Sequence, residues 1–284
     1  MTLITKRFAG QMNSYCLFPP CLPVVGALVV CVIGAFTLLA WSSSRNASFS
    51  NVEQPAAGVP HQRLLRVLCF GDSLTFGLLA GGGGQPHPYG PALEDRLSER
   101  GIQASVVAVG HSGWTSEMML RNANDTAVSR GGPGLLAALE GRGLHPNPKV
   151  ASRVGNSRGS FDAVVLLSGT NDLGHRTPPE VVFQDIIALH ELCWRSGVPR
   201  TVAVGIPESR FSRQGFGGLG ESIIKVNQLL AEWATNKPSA VKYTPCPAGF
   251  DDLGEDGLHF SAAGYDKLGA GLAEAAGDFL AGRE

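Results

Sequence analysis

Ser73 closes the run Arg66-Val67-Leu68-Cys69-Phe70-Gly71-Asp72-Ser73. A serine hydroxyl is a weak nucleophile until a base takes its proton. His259 can take it, because an imidazole changes charge near neutral pH. Asp256 stands three residues earlier, in Asp256-Gly257-Leu258-His259, where a carboxylate can fix the ring tautomer and stabilise the imidazolium. Attack on a carbonyl builds negative charge on oxygen, and that charge needs preplaced donors. Three are available by type: the Ser73 N–H, the Gly113 N–H and the Asn171 side-chain amide. Each residue also has a plainer reading. Asp72 or Ser73 can cap a helix, Asn171 can bond its own turn, and Asp256 can open a helix-capping turn. Asp172 reads as a structural partner for nearby backbone.

These residues can act together only if the chain brings them to one edge. The residues from Arg66 form a short apolar run, the pattern of a strand buried on both faces. Gly71-Asp72-Ser73 then turns sharply toward a helix. A helix follows over Pro91–Arg100, a second strand over Ser105–Val109 and a third over Ala163–Ser168. Pro178–Ser196 is a helix with Val182, Ile186, Leu189 and Cys193 on one face. Thr201–Ile206 is the fourth strand, Gly215–Gly220 a loose loop, Glu221–Thr235 a helix and Val241–Thr244 the fifth strand. Ser261 caps a last helix that runs to about Leu280. Ser129–Ser160 is a Gly/Pro-rich insertion with a short helical piece at Leu135–Glu140. Strands alternating with helices predict a parallel sheet covered on both faces, with ligands beyond the carboxyl ends of its strands. Ser73, Gly113, Asn171, Asp256 and His259 all follow such ends. His111 and His175 follow the same turns, and Trp114 adjoins one. All three are candidates to line a substrate pocket, with core packing as the other reading for the tryptophan. The glycine run Gly81–Gly84 and His87 are expected on a loop at the pocket rim.

The chain of 284 residues has a net charge of -1 and 44% hydrophobic residues, which gives no reason to expect nucleic acid as a partner. Its 6 cysteines are too few for a disulfide framework, and no pair has metal-ligand spacing. The serine chemistry needs no metal or cofactor.

Residues 22–41 carry no charge, a length that crosses a bilayer core as a helix. Lys6 and Arg7 precede them, which places the N-terminus in the cytoplasm and the rest beyond the membrane. The expected order is therefore a tail (1–21), a transmembrane signal anchor (22–41), a Ser-, Asn- and Pro-rich stalk (42–63) and a folded domain (64–284). A cleaved signal peptide, leaving a secreted protein, is the alternative. The apolar run exceeds the usual length of such a peptide's core. Asn46 and Asn124 sit in glycosylation patterns that matter if the domain is lumenal or extracellular.

Gly71-Asp72-Ser73-Leu74, Ser112-Gly113, Gly169-Thr170-Asn171-Asp172 and Asp256-Gly257-Leu258-His259 resemble, in order, the four blocks of the SGNH hydrolases, also called GDSL esterases. The resemblance spans roughly Val67 to Leu280. It implies a flavodoxin-like three-layer α/β/α sandwich with a five-stranded parallel sheet. It also implies a serine esterase with Ser73 as nucleophile, Asp256 and His259 as acid and base, and Ser73, Gly113 and Asn171 at the oxyanion hole. The lead-in Leu68-Cys69-Phe70 and the run Asp256–Ser261 look similar to the arylesterase and carbohydrate-esterase branch, which implies short acyl or aryl esters, O-acetyl sugars among them. An acyltransferase with the same residues, a lysophospholipase or thioesterase, and a non-catalytic binding module are the other readings. One position departs from the family. The asparagine usual before the second-block glycine is absent from Ala108-Val109-Gly110-His111, which leaves Gly110 as an alternative second donor.

Overall fold

The computed structural model describes residues 63–81, 84–127, 132–144 and 161–283. Contacts divide the chain into residues 1–57 and 58–284, and the described residues belong to the second unit. The expected anchor (22–41), the tail and the stalk up to residue 62 lie outside them, as does Asn46. Among the described residues no helix is long and apolar enough to cross a membrane.

Five parallel strands form one sheet in the order β2-β1-β3-β4-β5. They are β1 (Leu65–Gly71), β2 (Ala104–Gly110), β3 (Ala163–Leu167), β4 (Arg200–Val204) and β5 (Val241–Thr244). Side chains alternate between the sheet's faces. Val67, Cys69, Val165 and Leu167 pack on one face with helices α2 (Gly90–Glu99) and α9 (Ala262–Ala281). Leu68, Phe70, Val164 and Leu166 pack on the other with α3 (Ser116–Arg121), α4 (Leu135–Leu139) and α6 (Pro179–Arg195). Both faces being covered explains why these strands read as unbroken apolar runs.

In α6 the buried residues are Val182, Ile186, Leu189, His190 and Cys193. Burying a side chain such as Leu189 contributes roughly 1.5–3 kcal/mol. The exposed Arg195–Glu191 pair on the same helix is 4.0 Å apart. Such pairs contribute about 0.3–0.5 kcal/mol, so packing rather than surface charge holds the helix in place. Ser261 caps α9 by accepting from the Gly264 N–H at 3.1 Å.

Two features differ from the sequence expectation. The fourth strand ends at Val204, because the Asn227 side chain on helix α8 (Leu219–Thr235) bonds both the N–H and the carbonyl of Ile206, at 2.8 and 2.9 Å. A short helix α7 (Arg210–Arg213) then forms, closed by reciprocal hydrogen bonds between Ser209 and Ser212. The expected Gly215–Gly220 loop is a tight turn at Phe216–Gly218 running straight into α8.

The strand order changes direction between β1 and β3, so the switch point lies at their carboxyl ends. Register sets the level at which each strand hands the chain to its turn. Gly71 pairs with Gly110 on one side and with Leu167 on the other, so three strands end level.

Candidate active site

The chain leaves β1 through Asp72, which caps α1 (Ser73–Phe76) by accepting from the Leu74 N–H at 2.9 Å. Ser73 is therefore the first residue of a helix, where backbone N–H groups have no intrahelical partner. Across the edge, the loop between β5 and α9 presents His259. Its Nε2 lies 3.0 Å from Ser73 Oγ and its Nδ1 2.8 Å from Asp256 Oδ2. Asp256 both caps a turn and faces the ring. Its Oδ1 accepts from the N–H groups of Leu258 and His259, each at 2.9 Å, which leaves Oδ2 aimed at the imidazole. Burial draws the Asp256 carboxyl upward, but the His259 ring and these two N–H groups outweigh it and hold it below the usual carboxylate range. The loop is pinned from outside. Gly254 N–H donates to the His259 carbonyl and Arg210 N–H to the Gly257 carbonyl, both at 2.7 Å.

The two other strand ends meet beside Ser73. After β2 the chain makes a four-residue turn, with Trp114 N–H donating to the His111 carbonyl at 3.1 Å. Gly113 takes its third position with φ +81°, the left-handed geometry that favours glycine there. Gly113 has open space around it, and among the described residues no group accepts from its N–H. Gly110 is differently placed. A Cβ there would collide with the Phe76 backbone and come within 2.7 Å of the Asp72 carbonyl oxygen, so this glycine lets β2 meet α1.

After β3, the helix α5 (Thr170–Gly174) carries Asn171, whose Nδ2 donates to the Trp114 carbonyl at 2.8 Å. The next residue, Asp172, is buried and reaches across to α3. Both its oxygens lie 3.0 Å from the Ser116 N–H. The Ser116 hydroxyl also lies 2.8 Å from that of Ser168. Asp172 is thus a bridge between elements, beyond the local turn that the sequence suggested. Burial raises its pKa against the opposing pull of the Ser116 donors. Together Asn171 and Asp172 tie the Gly113 turn to the end of β3.

The three candidate pocket residues separate. His175 borders a cavity of about 480 Å³. His111 and Trp114 do not. His111 is 1% exposed, with Nε2 3.1 Å from the Pro133 carbonyl oxygen, and it stacks on Trp114 at 4.2 Å between ring centroids. Trp114 packs with Phe70, Met119 and Leu135 in the core. The large apolar area of the two rings draws them under the site instead of into it. His87, expected on the rim, pairs with Asp266 on α9 at 2.7 Å.

The cavity adjoins the cluster of Ser73, His259 and Asp256 through Asn171 and Leu258. Its far walls are Leu173, Arg176, Ile206, Phe211, Phe216 and Ile223. No motif marks these residues in the sequence, although they follow the carboxyl ends of β3 and β4, where ligands bind in such sheets. The signal was two aromatic residues in a glycine-rich stretch with no apolar period to hold them in a core. The described cysteines are not competing nucleophiles, since burial pushes the Cys69 and Cys246 thiols up to about 12 and raises Cys193 likewise. Among the described residues no cluster of three or more His, Cys, Asp or Glu is arranged to hold a metal.

A doubly wound sheet with serine, histidine and aspartate meeting beside its switch point has the architecture of the SGNH hydrolases. The model of the GDSL-like lipase/acylhydrolase family matches residues 69–267. The chain belongs to this family and is a hydrolase acting on ester bonds. Among solved structures it is similar to a putative arylesterase from Agrobacterium tumefaciens str. C58, with 23% identity, a TM-score of 0.53, and coverage of 76% of this chain and 100% of that one. A carbohydrate acetylesterase family member from Sinorhizobium meliloti gives 22% identity, a TM-score of 0.53, and coverage of 77% and 100%. The inhibitor-bound aryl esterase of M. smegmatis gives 21%, 0.52, and coverage of 76% and 99%. At these identities the likeness is one of fold. Comparison with curated proteins finds no match.

Proposed function

We propose that this chain is a serine esterase in which Ser73 is the nucleophile, His259 the general base and Asp256 the carboxylate that orients it. The observation that carries this reading is the relay from Ser73 Oγ to His259 Nε2 at 3.0 Å and from His259 Nδ1 to Asp256 Oδ2 at 2.8 Å. Nε2 takes the hydroxyl proton as Oγ attacks the ester carbonyl. The oxyanion accepts from the N–H groups of Ser73 and Gly113 and from Asn171 Nδ2. Of the two glycines, Gly113 suits this role because its N–H is uncommitted. Collapse of the intermediate expels the alcohol, which leaves with the proton held on His259. Water, deprotonated in turn by His259, then attacks the acyl-enzyme, and Ser73 is released with its proton restored. Asp256, kept ionised by its donors, stabilises the imidazolium in both halves.

The substrates we assign are small carboxylic esters with short acyl or aryl groups, O-acetyl sugars among them. This is the class for which the arylesterase and carbohydrate acetylesterase fold relatives are named. For residues 22–41 we propose a membrane anchor with the catalytic domain on the lumenal or extracellular side. Release of the full chain from membranes by alkaline carbonate would exclude it.

The Ser73→Ala variant tests the mechanism with 4-nitrophenyl acetate and a fluorophosphonate probe. The expected outcome is a loss of turnover of about 10³-fold or more, together with loss of labelling. Undiminished turnover in a folded S73A protein would refute the reading.

A further inference from the structure

The cavity beside Asn171 has walls of one electrical sign. Its size, about 480 Å³, suits a small-molecule ligand. Leu173, Ile206, Phe211, Phe216 and Ile223 make it largely apolar, and no aspartate or glutamate lines it. One arginine does, Arg176. Among the described residues it has no ion-pair partner, as is also true of Arg200, Arg210 and Arg283, whereas Arg96, Arg100, Arg121, Arg142, Arg195 and Arg213 reach a carboxylate.

Arg176 is also held in an unusual way. At φ 64° it is the one residue other than glycine with a positive φ among the described residues. Its guanidinium lies 5.9 Å from the centre of the Phe216 ring. A Cβ on Gly217 would come within 3.6 Å of its Nε. Phe216 is 58% exposed, so the ring that lines the cavity also meets solvent, with the cation beside it. A guanidinium resting on an aromatic face keeps its N–H edge free, and that edge matches a carboxylate.

We propose that the cavity takes the acyl part of a carboxylate-bearing ester, with the apolar chain along Leu173, Ile206 and Phe211 and the distal carboxylate on Arg176. This rests on the serine-esterase reading, which puts the ester carbonyl beside Asn171 and lets the acyl chain run from there into the cavity. A single guanidinium, with no lysine or second arginine on the walls, suits one negative charge better than a doubly charged phosphate. A cationic ester would find no carboxylate there.

The test is a matched pair of esters, 4-nitrophenyl hexanoate and mono-4-nitrophenyl adipate, which differ mainly in the terminal carboxylate. At low salt the wild-type chain is expected to favour the adipate in kcat/KM by about two- to fivefold, the range of a partly exposed charge pair. Added salt should erode that preference. In Arg176→Gln the ratio should fall to about one or below. Arg176→Gly provides a second variant that removes the charge at a backbone geometry glycine tolerates, so a folding defect in R176Q does not block the test. A wild-type preference for the neutral ester, or a ratio indifferent to both substitutions, would overturn the inference while leaving the esterase reading intact. Failure to hydrolyse either ester, with no fluorophosphonate label on Ser73, would overturn both.

Discussion

Asp256 has two oxygens with different work. Oδ1 closes the turn by accepting from Leu258 and His259, and Oδ2 meets the imidazole. Asp256→Asn is therefore expected to leave the turn closed and the protein folded, because an amide oxygen can still take the two N–H groups. The amide cannot stabilise an imidazolium and permits the wrong tautomer. We expect kcat to fall by about 10³–10⁴ with KM little moved. Steady-state kinetics on 4-nitrophenyl acetate would check this, and a loss confined to KM would speak against the orienting role. Asp72, next to Ser73, bears on stability. Its Oδ2 is buried without a hydrogen-bond partner, and burial is the main cause that pushes its pKa up to about 7. In the unfolded chain an aspartate titrates near ~3.9. The folded state therefore holds a proton that the unfolded state releases, so this group's stabilising contribution is fully present below about pH 4 and is lost as pH rises to about 7. Asp72→Asn keeps an acceptor for Leu74 and cannot ionise. Its stability relative to wild type should rise across that window by on the order of 4 kcal/mol, read from urea unfolding at pH 4 and pH 8. A difference independent of pH would contradict the buried proton.

The elements converge because three strands end level and each passes at once into a tight turn. β1 delivers Ser73, β2 the Gly113 turn and β3 Asn171, while Asp172 crosses to Ser116 and holds two of these ends together. The joint depends on the close approach of β2 to α1 at Gly110. Gly110→Ala is expected to destabilise by about 3 kcal/mol or more, since the clash is with backbone that cannot move aside. Gly113→Ala meets no atoms, and its cost is the left-handed φ alone, about 1–2 kcal/mol. Thermal melts of the two variants would rank them, and equal melting temperatures would contradict this division of labour between the glycines.

At the scale of the whole molecule, the described residues supply helices that cover both faces of the sheet and fill its core clusters. A fragment of residues 58–284 should thus fold alone and hydrolyse the same esters as the full chain. Its melting temperature is expected within about 2 °C of the full chain's, since a shift of that size corresponds to less than 1 kcal/mol for a domain this large. A fragment that aggregates or melts far lower would show that the first residues contribute to the fold.

What could be read from the chain alone was whatever short range decides. Strands buried on both faces announce themselves as apolar runs, so β1 and β3 were plainly legible, whereas the fifth strand, Val241–Thr244, is half-buried at Lys242 and Tyr243 and carries a weaker signal. Asp256 and His259 lie within one turn of each other, and their spacing already constrains their geometry. Other features depended on atoms far apart in sequence. Asn227 ends the fourth strand from another helix, and Asp172 finds its partner 56 residues away at Ser116. His111 and Trp114 went into the core because packing area outweighed their polar edges. The cavity walls come from segments that meet only when β3 and β4 pair. Local patterns carry the periodicity of a strand and the closure of a turn, whereas burial and cross-chain hydrogen bonds are properties of the folded arrangement.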